Sequence, residues 1–153
     1  MNLQLRQATA NDLDQMKTLF VETIKNTCKD DYSPKEIEVW TSSVKRTDRW
    51  LSVLKEQFVL LAELEGQLVG FGTLENGSYL DFLYVHHLHL RKGIAHQLYE
   101  GLKQESIKRG FETLSSDVSK TARPFFENKG FRVVRENQNE RDGVILVNYH
   151  MQQ

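Results

Sequence analysis

The segment FVLLAELEGQLVGFGTLENGSYLDFLYV, residues 58–85, constrains the fold more than any other part of the sequence. Its apolar residues follow a strand pattern that is interrupted at Glu65-Gly66 and at Asn76-Gly77. Asn-Gly is a strong hairpin signal because both residues tolerate the positive φ angles of a type I′ turn. The segment therefore predicts three consecutive strands joined by tight turns.

A first strand and two helix starts precede this segment. Residues 3–7 alternate between apolar and polar side chains, which predicts a strand. Thr9 and Asp12 have the spacing of a capping box, with Asp in place of the usual Glu. Ser33 followed by Pro34 is a stronger helix start, because Ser caps well and Pro suits the first helical position.

The remaining elements follow from apolar periodicity and from glycine turns. They are a short helix at 48–55, a helix at about 93–109, strands at 111–118, 131–136 and 144–151, and a short helix at 121–130. Leaving out the short helix at 48–55, the order is β-α-α-β-β-β-α-β-α-β-β. This order predicts an α/β layer sandwich, an α+β arrangement with a mixed central sheet of about seven strands flanked by helices. Nothing marks a linker, so residues 1–153 are expected to form a single domain.

Composition excludes several classes of function. A formal net charge of −1 argues against general nucleic-acid binding and against a polybasic membrane patch. Cys28 is the only cysteine, so no intramolecular disulfide forms, and a reducing compartment fits best. The amino terminus lacks a secretory pattern, and the longest apolar run, residues 58–62, is too short to span a bilayer. A cytoplasmic protein is expected.

The glycine at the start of the fourth predicted helix suggests an anion site. A strand, a short loop and a helix beginning near Gly93 leave backbone N–H groups free at the helix start. These groups and the helix dipole attract phosphate, and a glycine lets the phosphate approach the backbone closely. Arg91 and Lys92 add positive charge. The alternative is an ordinary strand-to-helix turn with solvated basic residues.

Two stretches around this turn resemble a known family. The stretch LDFLYVHHLHLRKGIAHQLYEGL, residues 80–102, resembles the signature of the GNAT superfamily of CoA-dependent N-acetyltransferases. In that family a (Gln/Arg)-x-x-Gly-x-(Gly/Ala) loop holds the CoA pyrophosphate, and residues 90–95 occupy the corresponding frame. TARPFFENKGF, residues 121–131, resembles a later family segment. The resemblance extends over almost the whole chain and implies the GNAT fold.

The resemblance also implies a binding mode for acetyl-CoA as co-substrate. The cofactor would lie where the strands LDFLYV and FETLSSDV splay apart, with its pantetheine arm paired to the first of them. A backbone N–H there would stabilise the oxyanion formed when the amine attacks. The residues implied are Leu83, Tyr84, Val85, Leu90, Arg91, Lys92, Gly93, Ile94, Ala95, Ser119 and Phe126.

The sequence departs from the family pattern at two positions. Leu90 stands where the family usually has Gln or Arg, which implies adjusted geometry or weaker CoA affinity, because amides supply most of the phosphate contacts. Phe126 aligns with a tyrosine that many members use as a general acid, and it has no proton to give. A thiol with a pKa near roughly 8.5 needs little protonation to leave, so catalysis remains compatible with this change.

A cluster of three histidines offers a different interpretation. His86, His87 and His89 suggest a metal site, but an extended segment directs only two of them to one side. A metal centre needs at least three converging ligands with supporting hydrogen bonds. We therefore expect solvated loop histidines near the cofactor phosphates, and no metal.

The reaction needs a base, because the amine must be neutral to attack. Asp81 is the first candidate, since strands seldom carry a carboxylate in an apolar run without a reason. Tyr79 is the second, as a residue that orders a water, and Ser116 has a weaker case. Each has a structural alternative, namely a hydrogen-bonded or exposed side chain of the sheet. Cys28 lacks a base partner nearby and is expected to be inert.

In this family the helical region between the first two strands contributes much of the acceptor recognition. Asp31, Tyr32 and Trp40 are the candidates, with charge and aromatic surface suited to a cationic amine. The alternative is a helix cap with Trp40 in the core. The acceptor is expected to be a small molecule or a peptide with a primary amine.

The sequence as a whole predicts an N-acetyltransferase that acts by direct amine attack in a ternary complex. A non-catalytic GNAT-fold protein that binds or senses acyl-CoA is the main alternative, favoured by Leu90 and Phe126. A metal-dependent protein built on the histidines is a third. A homodimer is possible through edge strands near the carboxyl terminus.

Overall fold

The computed structural model describes residues 2–153, and a seven-stranded sheet runs through it. The strands are β1 (Leu3–Gln7), β2 (Phe58–Leu64), β3 (Gln67–Glu75), β4 (Tyr79–Val85), β5 (Ser115–Ser119), β6 (Arg132–Arg141) and β7 (Val144–Gln152). The helices are α1 (Leu13–Thr27), α2 (Pro34–Thr41), α3 (Thr47–Glu56), α4 (Ile94–Lys108) and α5 (Arg123–Asn128). No helix within this range is long and apolar enough to cross a membrane.

The strand order is β1-β2-β3-β4-β5-β7-β6, and only the β4–β5 pair is parallel. The predicted mixed sheet flanked by helices is therefore confirmed. The turns at 65–66 and 76–77 have positive φ at both residues, as a type I′ turn requires. The short helix expected at 48–55 is present as α3.

One boundary differs from the prediction. The strand expected over 111–118 begins only at Ser115. The Leu114 N–H donates to the side-chain oxygen Oε1 of Gln153 at 3.1 Å instead of to a strand neighbour, and the Leu114 carbonyl accepts from the Gln153 N–H. β5 is consequently short, with five residues, of which Ser115 and Ser116 pair with β4.

Two apolar cores lie on opposite faces of the sheet. One core packs α4 and α5 against the sheet through residues such as Leu98, Leu102 and Phe126, and the other packs α1 to α3 through residues such as Phe20 and Trp50. A Cβ at Gly72 of β3 would lie 2.7 Å from a Leu102 methyl group, so glycine there permits the close approach of α4. A Cβ at Gly70 of the same strand would lie 3.3 Å from a methyl group of Ile94, so the amino-terminal end of α4 also packs closely on β3.

The capping box predicted at Thr9 and Asp12 is part of a larger ionic cluster. Asp12 accepts hydrogen bonds from the Thr9 backbone N–H at 2.7 Å and from both terminal nitrogens of Arg6 at 2.8 and 3.0 Å. Arg6 also contacts Glu63 on β2 at 2.9 Å. The Arg6 guanidinium lowers the pKa of the Asp12 carboxyl to about 2, against the partial opposition of its burial.

We expect Asp12→Asn to destabilise the protein by about 2 kcal/mol at neutral pH. Because the pKa of Asp12 is lower when folded, its contribution is complete above about pH 4 and disappears as the pH falls towards 2. Urea unfolding of parent and variant at several pH values measures this difference. Asp14→Asn, an exposed substitution on α1, is the control. A difference between parent and Asp12→Asn that stays constant from pH 7 to pH 3 would contradict the assignment.

Candidate active site

The two parallel strands separate soon after they meet. β4 and β5 pair only at Tyr79–Ser115 and Leu80–Ser116, and the Ser116 hydroxyl donates to the Leu80 carbonyl at 2.7 Å. Beyond this point the edge of β4 that faces β5 has no strand partner within residues 2–153. A cavity of about 1020 Å³, called the cleft below, opens there.

The amino-terminal end of α4 forms part of the wall of the cleft. Gly93 caps the helix in the left-handed region with φ +80°, and no side chain caps the first turn. The first intrahelical bond runs from the Gln97 N–H to the Gly93 carbonyl at 3.0 Å, which leaves the amides of Ile94, Ala95 and His96 without helical acceptors. These free amides and the helix dipole favour an anion at this end of α4, the position at which the sequence predicted an anion site.

Most of the predicted cofactor residues lie in the wall of the cleft. They are Leu83, Tyr84, Val85, Leu90, Arg91, Gly93, Ile94, Ala95, Ser119 and Phe126. Lys92 lies outside this wall and places its ammonium 3.4 Å from His89 Nδ1. The cleft therefore connects the open edge of β4 with the free amides of α4.

Ser119 and Phe126 also have local structural contacts. The Ser119 hydroxyl accepts a hydrogen bond from the Ala122 N–H at 3.1 Å, which holds the turn before α5. Phe126 is 4% exposed and packs edge-on against Phe131 with ring centroids 5.0 Å apart. Both side chains are fixed before any ligand binds.

The histidine segment is not extended, so that expectation was wrong. Residues 87–89 form a 3-10 turn, because His86 Nδ1 accepts from the Leu88 N–H at 3.2 Å and caps it. The rings of His86 and His87 stack at 4.4 Å. Within residues 2–153, no three His, Cys, Asp or Glu side chains are placed to hold a metal ion. His89 lies in the cleft wall, and partial burial followed by the charge of Lys92 lowers its pKa.

Asp81 is an extra residue in β4. Leu80 pairs with Leu74 and Phe82 with Thr73, so Asp81 has no partner of its own on β3 and forms a bulge. Its side chain is 11% exposed and lies in the cleft wall.

The carboxylate of Asp81 is bound on one oxygen only. Arg49 Nη2 on α3 donates to Oδ2 at 2.6 Å, and Gln57 Nε2 donates to the same oxygen at 2.7 Å. Oδ1 accepts no hydrogen bond from residues 2–153. One oxygen of Asp81 is thus held by the protein, and the other is open to water or to a ligand.

Tyr79 belongs to a different polar network. Its hydroxyl donates to Asp117 Oδ2 at 2.5 Å, while Asp117 Oδ1 contacts His150 Nδ1 at 3.0 Å and accepts from Asn137 Nδ2 at 2.8 Å. Burial and then the bond to Asp117 raise the pKa of Tyr79, so its hydroxyl keeps its proton. Burial would raise the pKa of Asp117, but the three hydrogen bonds outweigh it and lower that pKa.

Tyr32 and Trp40 meet at the edge of the cleft. Their rings lie 5.2 Å apart, and both line the cavity. The Tyr32 hydroxyl donates to the Val147 carbonyl at 2.6 Å and accepts from the Lys120 N–H at 3.0 Å. Tyr32 therefore joins β7 to the loop after β5, and burial raises its pKa to about 12.

Asp31 lies beside the same loop but outside the cleft wall. Its Oδ2 accepts a hydrogen bond from the Thr121 hydroxyl at 2.7 Å. Cys28, one turn earlier, lines the cleft as a buried free thiol whose pKa is raised by burial. The segment from Cys28 to Tyr32 is thus attached to the loop that precedes α5.

Residues 28–153 match the family described as acetyltransferase (GNAT) domain. This match covers most of the chain, including the cleft and the amino-terminal end of α4. The chain belongs to the GNAT acetyltransferase family. It is accordingly an acyltransferase, and the resemblance stated from the sequence is confirmed.

Relatives of this GNAT protein support the same assignment. The uncharacterized N-acetyltransferase YafP of Escherichia coli strain K12 is 33% identical over 152 residues, which cover 98% of this chain and 95% of YafP. The crystal structure of a GCN5-related N-acetyltransferase from Rhodopseudomonas palustris superposes with a TM-score of 0.95 at 29% identity, covering 100% of this chain and 96% of that one.

A more distant GNAT structure shares the fold. The PaiA N-acetyltransferase from Thermoplasma acidophilum, solved in complex with coenzyme A, superposes with a TM-score of 0.79. It is 20% identical, and the alignment covers 100% of this chain and 99% of that chain.

Sequence reasoning missed two groups of polar residues in the GNAT cleft. The first group is Asp117 with its partner His150; Asp117 is a carboxylate inside a short strand, the same signal that drew attention to Asp81. The second group lies on one face of β6 and β7, and it includes Asn137 and Asn148, which are bonded at 2.9 Å. In β6, the alternation that places Glu136 and Glu140 on one face and the asparagines on the other could have identified this second group.

Proposed function

We propose that the chain transfers the acetyl group of acetyl-CoA to a primary amine by direct attack in a ternary complex. One observation carries this proposal: a single cleft joins an unpaired strand edge to a helix end with free amides. An unpaired strand edge suits the amides of a pantetheine arm, and free helical amides suit a pyrophosphate. The PaiA relative with the same fold was solved with coenzyme A.

The residues present fit acetyl-CoA. Gly93 contributes no Cβ, and a Cβ placed there would meet nothing within 4 Å, so the space above the α4 amides is open. Ile94 and Ala95 would hold the pyrophosphate through their N–H groups, with Arg91 adding charge. The backbone of residues 83–85 would pair with the arm, and Phe126 would pack against it. Bound there, acetyl-CoA supplies an acetyl group activated as a thioester.

The chemistry requires little acid catalysis. As the amine attacks, a C–N bond forms and the C–S bond breaks, and the amine loses a proton. Because a thiol has a pKa of roughly 8.5, CoA leaves without help from a tyrosine, and Phe126 at the family's acid position is compatible with turnover.

Asp81 is the base that the geometry favours. Its open Oδ1 would accept the amine proton directly or through one water, while Arg49 and Gln57 fix the carboxylate through Oδ2. Tyr79 keeps its proton and is committed to Asp117, so its role would be to order water beside Asp81.

The test is release of free CoA thiol from acetyl-CoA in the presence of a panel of primary amines. We expect release that depends on the amine and that yields an N-acetylated product by mass spectrometry. Micromolar binding of acetyl-CoA without turnover of any amine would instead support the non-catalytic acyl-CoA-binding alternative.

A further inference from the structure

One face of β6 is entirely free of acids. The sequence RENQNER, residues 135–141, alternates so that its acids, Glu136 and Glu140, share one face of the strand. The other face lines the cleft, and it carries Arg135, Asn137, Asn139 and Arg141. Every acidic side chain of this stretch is thus directed away from the cleft, and both of its arginines line it.

Arg46, the residue before α3, also lines the cleft. Arg46, Arg135 and Arg141 are called the rim arginines below, since all are exposed. Among residues 2–153, no carboxylate lies within 4.0 Å of a guanidinium nitrogen of these three. Three exposed guanidinium groups without a carboxylate partner give this part of the cleft a positive potential.

The two carboxylates in the cleft wall offset only part of this charge. Asp81 is paired with Arg49 at 2.6 Å, and the single negative charge of Asp117, which is hydrogen-bonded by Tyr79 and Asn137, is outnumbered by the three rim arginines. The side of the cleft that faces β6 therefore has an excess of positive charge, in contrast to what recognition of a simple cationic amine requires.

The asparagines connect the rim to the centre of the cleft. Asn148 Oδ1 accepts from Asn137 at 2.9 Å and from Asn139 at 3.1 Å, and Asn137 also reaches Asp117. The amide nitrogen of Asn148 donates to no group within residues 2–153 and remains a donor for a ligand. A polar surface thus runs from the Tyr79–Asp117 network, on β4 and β5, to the rim arginines.

We propose that the acceptor is a small primary amine that also carries an anionic group, a carboxylate or a phosphate, which the rim arginines bind. This inference rests on the proposed acetyl transfer and names its substrate class. Guanidinium groups bind both anions through paired charge-assisted hydrogen bonds. The anion lies on β6 and Arg46, and the amine is directed towards Asp81 and the thioester.

Matched acceptor pairs test the inference. Thiol release is measured with L-amino acids against their amides and with O-phosphoethanolamine against ethanolamine, at low and moderate ionic strength. We expect kcat/KM to be at least roughly tenfold higher for the best anionic acceptor than for its neutral partner. The advantage should shrink as salt is added, since the arginines are exposed.

Two variants locate the effect. Arg46→Gln and Arg141→Gln should each raise KM for the anionic acceptor roughly tenfold, with kcat and the kinetics of the neutral partner unchanged. Arg132→Gln is the matched control, an exposed arginine of the same strand that lies outside the cleft wall. Equal kinetics for charged and neutral acceptors, or equal effects of all three variants, would overturn the inference and leave the proposed acetyl transfer intact.

Calorimetric binding of the acceptors distinguishes a failure of the proposed acetyl transfer from a failure of the proposed anion site. Calorimetric titration of O-phosphoethanolamine and of the amino acids into CoA-saturated protein is expected to show binding that is weakened in Arg46→Gln and Arg141→Gln. Such binding without turnover of any amine would support the anion site and count against acetyl transfer. Absence of binding together with absence of turnover would overturn both.

Discussion

Replacing Gly93 with aspartate is expected to raise the dissociation constant of acetyl-CoA at least about 100-fold. The new carboxylate would lie at the start of α4, where we place the pyrophosphate, and juxtaposed like charges cost several kcal/mol. Gly93 has φ +80° with open space around its Cβ position, so the added side chain meets no protein atom and is free to point into the anion site. Calorimetric titration of acetyl-CoA into parent and variant measures the loss.

The control must separate charge at the site from backbone strain. Gly66→Asp introduces the same residue at φ +81°, also with nothing within 4 Å, in the exposed turn between β2 and β3. It should bind acetyl-CoA as the parent does, and both variants should lose similar thermal stability. If Gly93→Asp keeps micromolar affinity, then the pyrophosphate does not lie on this helix end, and the fit of acetyl-CoA to the cleft must be abandoned.

The sequence predicted the sheet well because its strand signals are local. The turns at 65–66 and 76–77 are specified by residues that accept positive φ, and these turns set the order of β2, β3 and β4. The helix starts at Ser33 and Gly93 are likewise specified by residues adjacent in sequence. The late start of β5 could not be foreseen, because it depends on Gln153, which is 39 residues away from Leu114 along the chain.

The candidate site was only partly predictable, because some of its contacts join residues that are distant in sequence. The glycine turn predicted the helix end with free amides, since these amides are adjacent to it in sequence. The pairing of Asp81 with Arg49 and the network of Tyr79, Asp117 and His150 join residues that are 32 to 38 positions apart. Only the assembled sheet shows that Asp81 keeps one oxygen open while both oxygens of Asp117 are occupied.

Because Asp81 keeps one carboxylate oxygen open, its replacement is the second substitution for which we expect a large effect. Asp81→Asn is expected to lower kcat about 10²- to 10⁴-fold at pH 7, the usual contribution of a positioned base, and to leave the affinity for acetyl-CoA unchanged. Asparagine retains the shape of the side chain and an oxygen for Arg49 and Gln57 but loses the charge paired with Arg49, so some thermal stability should be lost, and kcat is compared at a temperature at which both proteins are folded. Asp48→Asn, an exposed substitution on α3, should keep full activity.

The pH dependence of the variant distinguishes a base from a residue that merely positions α3. Without the base, only amine that is already neutral can react, so the rate of Asp81→Asn should rise about tenfold per pH unit up to the amine's own pKa, near 10 for an alkylamine. The parent should rise less steeply, because Oδ1 takes the proton within the complex. A variant that retains activity within about threefold, with a pH profile parallel to the parent's, would make Asp81 a structural partner of Arg49 and transfer proton removal to water alone.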